Sequence, residues 1–252
     1  MEYKISDKDV ERWITWRGRH IPIAKDGSVI KQYKDYFKDY YNKNDDEFFD
    51  RVVEVGEEFN KKYKPIYDKM DNKTKQAFNN YSGIYYKDIN RVLLHKELDD
   101  TDNYKGIRGV HNIREYKSKI NEWVNLMDKE IDKSSIDENT VLWKGTLEKH
   151  YTNLKSGDEF TTNIYNSTSL NRGIAESFVW NKENSVILKI NSPKGTRGLY
   201  ITDEIGLGGE DEMLLARNQK YKYIREYEDY GVSSLYKNKK KKLKIIELEA
   251  IK

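Results

Sequence analysis

Apolar side chains recur at spacings of three and four along the first half of the chain and fall into short alternating runs along the second half. Between Asp45 and Met70, the residues Phe48, Phe49, Val52, Val53, Val55, Phe59, Tyr63 and Tyr67 keep the helical period, Asp45 or Asp46 can cap the start, and Pro65 is a point for a bend. A second helical stretch begins near Asp71, is interrupted at Ser82-Gly83, and continues through Tyr86, Ile89, Asn90, Leu93 and Leu94. A third runs from His111 to about Lys133 and places Ile113, Tyr116, Ile120, Trp123, Val124, Met127 and Ile131 on one stripe.

At Ile136 the pattern changes. Strands are predicted over Val141–Gly145, Glu159–Thr162, Ser185–Asn191, Gly198–Thr202, Asp211–Ala216, Lys220–Arg225 and Leu243–Ile251, and only Arg172–Trp180 reads as helix. A helical half followed by a strand-rich half, without βαβ alternation, predicts an α+β fold with helices packed on antiparallel sheets. Residues 6–30 carry Trp13, Ile14, Trp16, Ile21, Pro22 and Ile23, then Lys25-Asp26-Gly27-Ser28, which reads as a short helix or strand followed by a turn. We assign residues 1–44 to an N-terminal extension and 45–252 to the main domain.

Composition narrows the chemistry. The chain has 252 residues, of which 35% are charged, yet 20 Tyr and 5 Trp supply the large apolar surfaces that disordered chains lack, so it is expected to be folded and soluble. A formal charge of +3 is too small to argue for a polyanionic partner. The run Asn238-Lys239-Lys240-Lys241-Lys242 lacks interleaved aromatics and reads as a solvated hairpin turn rather than a nucleic-acid contact. With no Cys, disulfides, thiolate nucleophiles and Cys-ligated zinc are excluded, and His20, His95, His111 and His150 have no metal-ligand spacing. No signal peptide is read at the start and no transmembrane segment anywhere, so the expected location is a host cytoplasm, a virion, or outside the cell by a non-classical route.

Four local features carry candidate chemistry. Tyr165-Asn166-Ser167-Thr168-Ser169 is a hydroxyl-rich strand before a short helix holding Ala175 and Phe178. Gly206-Leu207-Gly208-Gly209-Glu210-Asp211-Glu212 opens a strand, and in an extended chain Glu210 and Glu212 project to one face. Two carboxylates so placed repel unless a cation or hydrogen-bond donors face them. Because this glycine loop precedes a strand rather than a helix, a dinucleotide-binding βα turn is rejected. Val141-Leu142-Trp143-Lys144-Gly145-Thr146 is an apolar strand with one central cation, which snorkels out or serves a ligand. Tyr86 and Asn90 share a helix face at i and i+4. Ser167 has no Gly-x-Ser-x-Gly elbow and no placed base, which argues against a serine hydrolase.

In chain order these features resemble the arginine, Ser-Thr-Ser, Glu-x-Glu class of ADP-ribosyltransferase exoenzymes, typified by enzymatic components of clostridial binary toxins. The resemblance covers roughly Asp45 to Lys252 and implies a helical N-terminal part packed on a two-sheet antiparallel core. It implies an NAD-dependent mono-ADP-ribosyltransferase that releases nicotinamide and modifies arginine on a partner protein, with NAD as substrate and no metal. By matched positions, Glu212 stabilises the ribose cation and binds its 2′-hydroxyl, Ser167 holds that carboxylate, and Glu210 orients the acceptor. Likewise Lys144 contacts phosphate, Gly145 and Phe178 meet nicotinamide, Thr168 and Ser169 shape the cleft, and Tyr86 with Asn90 closes over the dinucleotide. The segment Asp203 to Gly209 would be a mobile acceptor-recognition loop.

One departure stands out: the family has Arg where this chain has Lys144. Lysine keeps the charge and loses the bidentate fork, which leaves open weaker NAD binding, a natural variant that functions, or an inactivating substitution. NAD glycohydrolase activity and an impaired transferase-fold virion or interaction protein are the alternatives. The stretch Trp13 to Ile23 is similar to segments of phage minor-head proteins that carry such domains.

Overall fold

The computed structural model describes residues 12–16, 19–24, 30, 59–98, 104–105, 107–179, 182–201, 211–231 and 242–252. Near the start, β1 (Arg12–Trp16) and β2 (Arg19–Ile23) pair as an antiparallel ladder, which resolves the helix-or-strand alternative there in favour of strand. Helix α1 covers 59–68 and runs on past Pro65; the predicted helical residues before 59 lie outside the described ones.

Next come α2 (Asn72–Asn80), a π turn (Tyr81–Tyr85), α3 (Tyr86–Leu93) and α4 (Ile113–Ile131). Side-chain caps fix two of these starts. Asp71 accepts from the Thr74 amide at 2.8 Å, and Asn112 accepts from the Glu115 amide at 3.0 Å while Glu115 accepts in return from the His111 amide at 2.6 Å. The stripe read from the α4 sequence is its buried face: Tyr116, Ile120, Trp123, Val124, Met127 and Ile131.

The remaining elements are β3 (Thr140–Leu147), β4 (Glu159–Thr162), β5 (Asn166–Ser169), α5 (Arg172–Ser177), β6 (Ser185–Ser192), β7 (Gly198–Tyr200), β8 (Glu212–Leu215), β9 (Gln219–Tyr230) and β10 (Lys242–Ile251). Hydrogen bonding joins the strands from β3 onward into one eight-stranded sheet, ordered β4-β9-β10-β6-β3-β5-β8-β7. That corrects the expected pair of antiparallel sheets in two respects. The halves β4-β9-β10-β6-β3 and β5-β8-β7 are joined through a single register pair, Trp143↔Ser169, and β10 runs parallel to β6. Alternation along a strand reports which face is buried, not which neighbour it pairs with or in which sense.

Tyrosines build much of the core, and several of the buried rings are admitted with their hydroxyls hydrogen-bonded. The Tyr165 hydroxyl donates to Asp128 at 2.7 Å, where Arg217 also binds, and Tyr116 donates to the buried Asp88 at 2.8 Å. Tyr81 donates to the Tyr165 carbonyl at 3.3 Å and meets that ring edge-on at 5.4 Å. These contacts fasten the helices to the underside of β5, which carries the Ser-Thr-Ser segment.

Candidate active site

Strands β3, β5 and β8 meet the π turn, α3 and α5 around a cavity of about 290 Å³. Every sequence-predicted site residue except Glu210 lines it: Tyr86, Asn90, Lys144, Gly145, Ser167, Thr168, Ser169, Phe178 and Glu212. Glu210 and the segment 203–209 lie outside the described residues.

Glu212 is the first residue of β8, pairs with Ser169 in register, and is only 7% exposed. Its backbone carbonyl accepts from the Ile201 amide at 2.8 Å. Asp211 just before it has φ of +45°, and its carbonyl accepts from the Leu170 amide at 3.0 Å. The strand therefore begins at Glu212, not at Asp211 as the sequence suggested. Since strict alternation requires extended backbone, the same-face argument for Glu210 and Glu212 does not carry through this left-handed residue.

Burial pushes the Glu212 carboxyl up from its ordinary value, while hydrogen bonds from the Ser167 and Ser82 hydroxyls and the charge of Lys144 draw it back. Ser82 Oγ donates to Glu212 Oε2 at 3.0 Å. Lys144 projects from β3 and donates to Asn166 Oδ1 at 2.7 Å; the Asn166 amide nitrogen donates in turn to the Tyr221 hydroxyl at 2.9 Å. Burial pulls the Lys144 ammonium down to about 8, with Glu212 opposing. Glu212 and Lys144 thus share one cleft, and each favours the charged form of the other.

The walls follow from close backbone packing. At Gly145 a Cβ would sit 2.3 Å from the Ala175 carbonyl oxygen and 2.9 Å from Val179 Cγ1, so glycine lets α5 lie directly on β3. Asn171 caps α5 through the Gly173 amide at 2.8 Å, and the helix ends at Ser177, short of the predicted Trp180. Arg172 crosses the Trp143 ring at 5.3 Å while binding Glu176, Asp229 and the Tyr230 carbonyl, which ties α5 to the end of β9. Phe178 and Tyr86 are 49% and 43% exposed at the cavity, and Lys182 adds a second cation there. Thr168 lines the wall and anchors it by donating to the Met213 carbonyl at 2.6 Å.

Sequence reasoning missed Ser82, Asn166 and Lys182. Ser82-Gly83 stood out as a helix break, and Asn166 lay inside the hydroxyl motif, but nothing local said which side chains they would meet. Among the described residues, no cluster of His, Asp and Glu is disposed to hold a metal ion, and no helix is long and apolar enough to cross a membrane.

One cavity thus brings together a buried carboxylate held by two hydroxyls, an ammonium, and two partly exposed aromatic rings. The chain belongs to the ADP-ribosyltransferase exoenzyme family, whose model matches residues 57–252. It is 29% identical over 149 residues to the NAD(+)--arginine ADP-ribosyltransferase EFV of Enterococcus faecalis, a match that spans 58% of this chain and 27% of that protein. The fold is similar to that of the ADP-ribosylating toxin BECa of C. perfringens, solved with NADH: TM-score 0.61 and 20% identity over 79% of this chain and 48% of BECa. It also resembles the ADP-ribosyltransferase Vis of Vibrio splendidus, solved with agmatine, with a TM-score of 0.56 and 18% identity over 80% of this chain and 85% of Vis. The chain thus spans about a quarter of EFV and about half of BECa.

Proposed function

We propose that this chain is an NAD-dependent mono-ADP-ribosyltransferase that transfers ADP-ribose to arginine on a target protein and releases nicotinamide. The observation that carries the reading is Glu212, buried, bound by the hydroxyls of Ser82 and Ser167, and facing the charge of Lys144 across one cavity. Cleavage of the nicotinamide–ribose bond leaves positive charge on the ribose, as in glycoside hydrolysis, and an ionised carboxylate fixed beside that carbon stabilises it without reorganising. Glu212 is assigned that role and the ribose 2′-hydroxyl contact.

Lys144 meets the pyrophosphate as a point charge, oriented by Asn166 in place of a guanidinium fork. Phe178 and the Gly145 backbone take the nicotinamide end, and Tyr86 with Asn90 takes the rest of the dinucleotide. Asn90 lines the cavity wall beside Tyr86, one helical turn away. Glu210 is assigned to the acceptor guanidinium by the Glu-x-Glu pattern, and EFV and the agmatine complex of Vis support arginine as the acceptor class. We read the seam at Trp143↔Ser169 as the junction of two half-sheets, with residues 1–44 an extension to an enzyme domain at 45–252.

The test is incubation with labelled NAD and agmatine, following nicotinamide release and acceptor labelling, with Lys144→Arg and Glu212→Gln alongside. Labelling by the wild-type chain that Glu212→Gln abolishes is expected. Nicotinamide release without labelling would make the chain an NAD glycohydrolase, and labelling only by Lys144→Arg would make it an impaired enzyme. Wild-type rates in Glu212→Gln would refute the mechanism.

A further inference from the structure

The helix between α2 and α3 departs from α geometry where its sequence reaches the cavity. Residues Tyr81–Tyr85 form a π turn, and Gly83 inside it leaves helical backbone angles altogether, with φ −88° and ψ −128°. Such single turns cost helical hydrogen bonding and recur where a side chain has to be re-aimed. Here the turn is pinned on one side by Tyr81, fully packed against Tyr165, and its next residue faces the cavity. That residue is Ser82, whose hydroxyl lies 3.0 Å from Glu212 Oε2 across 130 positions of sequence.

Glu212 is then gripped from two unrelated elements, by Ser167 on β5 and by Ser82 on the π turn. The charged and titratable groups facing it are Lys144 from β3 and Tyr81 from the π turn. Tyr81 is pushed up from its ordinary value by burial and by Glu212 itself, so it stays neutral, and Lys144 is the one cation among these groups. A carboxylate this deeply buried keeps its charge only if its oxygens are satisfied. A single hydroxyl from β5 fixes one contact and leaves rotation about the side chain free; a second donor from another element removes that freedom.

We propose that Ser82 is a positioning residue for Glu212, and that the π turn exists to bring its hydroxyl to the carboxylate. The proposal rests on the reading of Glu212 as the carboxylate of the transfer reaction. Loss of the Ser82 hydroxyl removes an influence that lowers the Glu212 proton affinity, so protonation moves to higher pH. Because Ser82 acts through Glu212, the loss falls on kcat rather than on KM for NAD, and it recovers as pH rises.

The experiment compares wild type, Ser82→Ala and Ser82→Thr. The side-chain carboxyl resonances of ¹³C-glutamate-labelled protein are titrated, with Glu212 assigned by its absence in Glu212→Gln. Nicotinamide release is measured over the same pH range. Ser82→Ala is expected to titrate Glu212 at higher pH than wild type and to move the acid limb of kcat in the same direction, with Ser82→Thr restoring both. Superimposed Glu212 titrations in wild type and Ser82→Ala would overturn the proposal, as would a Ser82→Thr protein that behaves like Ser82→Ala. A shifted titration together with no nicotinamide release from any variant, wild type included, would uphold the Ser82–Glu212 link and refute the transferase reading instead.

Discussion

Lys144 gives this chain a titration that an arginine at the same position would lack, and its consequences can be worked through. Burial brings the folded-state value to about 8 from an ordinary 10.5. Between those values the unfolded state binds more protons than the folded state, so stability rises with pH across that window, while below about 8 the full cost of burying the ammonium is present. From pH 7.5 to 9.5 the linkage amounts to about 2 kcal/mol for a fully enclosed group. Solvent reaching this part-buried side chain lowers that to about 1–2 kcal/mol. Lys144→Arg keeps the charge opposite Glu212 and does not titrate in this range, which makes it the proper reference. Urea denaturation at several pH values should therefore show wild type gaining on Lys144→Arg by that amount between pH 7.5 and 9.5. NAD affinity, followed by calorimetry, should weaken above pH 8 in wild type and stay level in the arginine variant. Parallel stability curves for the two proteins would refute the argument that Lys144 is held in a charge-hostile site.

Gly145→Ala forces a methyl against the Ala175 carbonyl and Val179, so it should cost at least about 1–3 kcal/mol in urea denaturation and weaken NAD binding by displacing α5; unchanged stability would mean that β3 and α5 are not in contact. For Glu247, burial raises the carboxyl, but bonds from Asn191, Arg225 and Lys189 win and hold it at about 2. Its stabilisation is present above pH 4.5 and fades as pH falls, so wild type should lose about 2 kcal/mol relative to Glu247→Gln between pH 5 and 3. Removing residues 1–44 should leave a cooperative unfolding transition and NAD binding intact, at a stability cost of about 1.5–3 kcal/mol for the buried Ile30; loss of the transition on calorimetry would place the domain boundary elsewhere.

How far the sequence led depended on whether the information was local. The α4 stripe, the Asn112 cap with its Glu115 partner, and the strand cores of β4, β6 and β10 were legible, because period and capping are set by residues within a turn or two of each other. The strand order was not. Nothing in the residues of β10 distinguishes an antiparallel neighbour, β9, from a parallel one, β6, since both pair with it through backbone groups that every residue carries. The tyrosine-rich composition pointed to large buried rings, but the partners that make them tolerable, Asp88 for Tyr116 and Asp128 for Tyr165, became visible only in three dimensions.

The candidate site divides along the same line. Motif order brought Tyr86, Lys144, Ser167 and Glu212 together on paper, and all four line the same cavity. The residues that hydrogen-bond the charged ends of Glu212 and Lys144, Ser82 and Asn166, belong to no spacing pattern, because a donor 130 positions from its acceptor leaves no periodic trace. For the carboxylate pair, Glu210 lies outside the described residues, and the argument that joined it to Glu212 has to pass through Asp211. Alternation is sound reasoning for extended backbone, and a single left-handed residue, Asp211, suffices to void it. Aspartate is among the few residues besides glycine that tolerate that conformation, so Asp211 itself was the available signal that the strand would not extend backward through it. With Asp211 in that conformation, alternation applies from Glu212 onward along β8 and not through the corner before it.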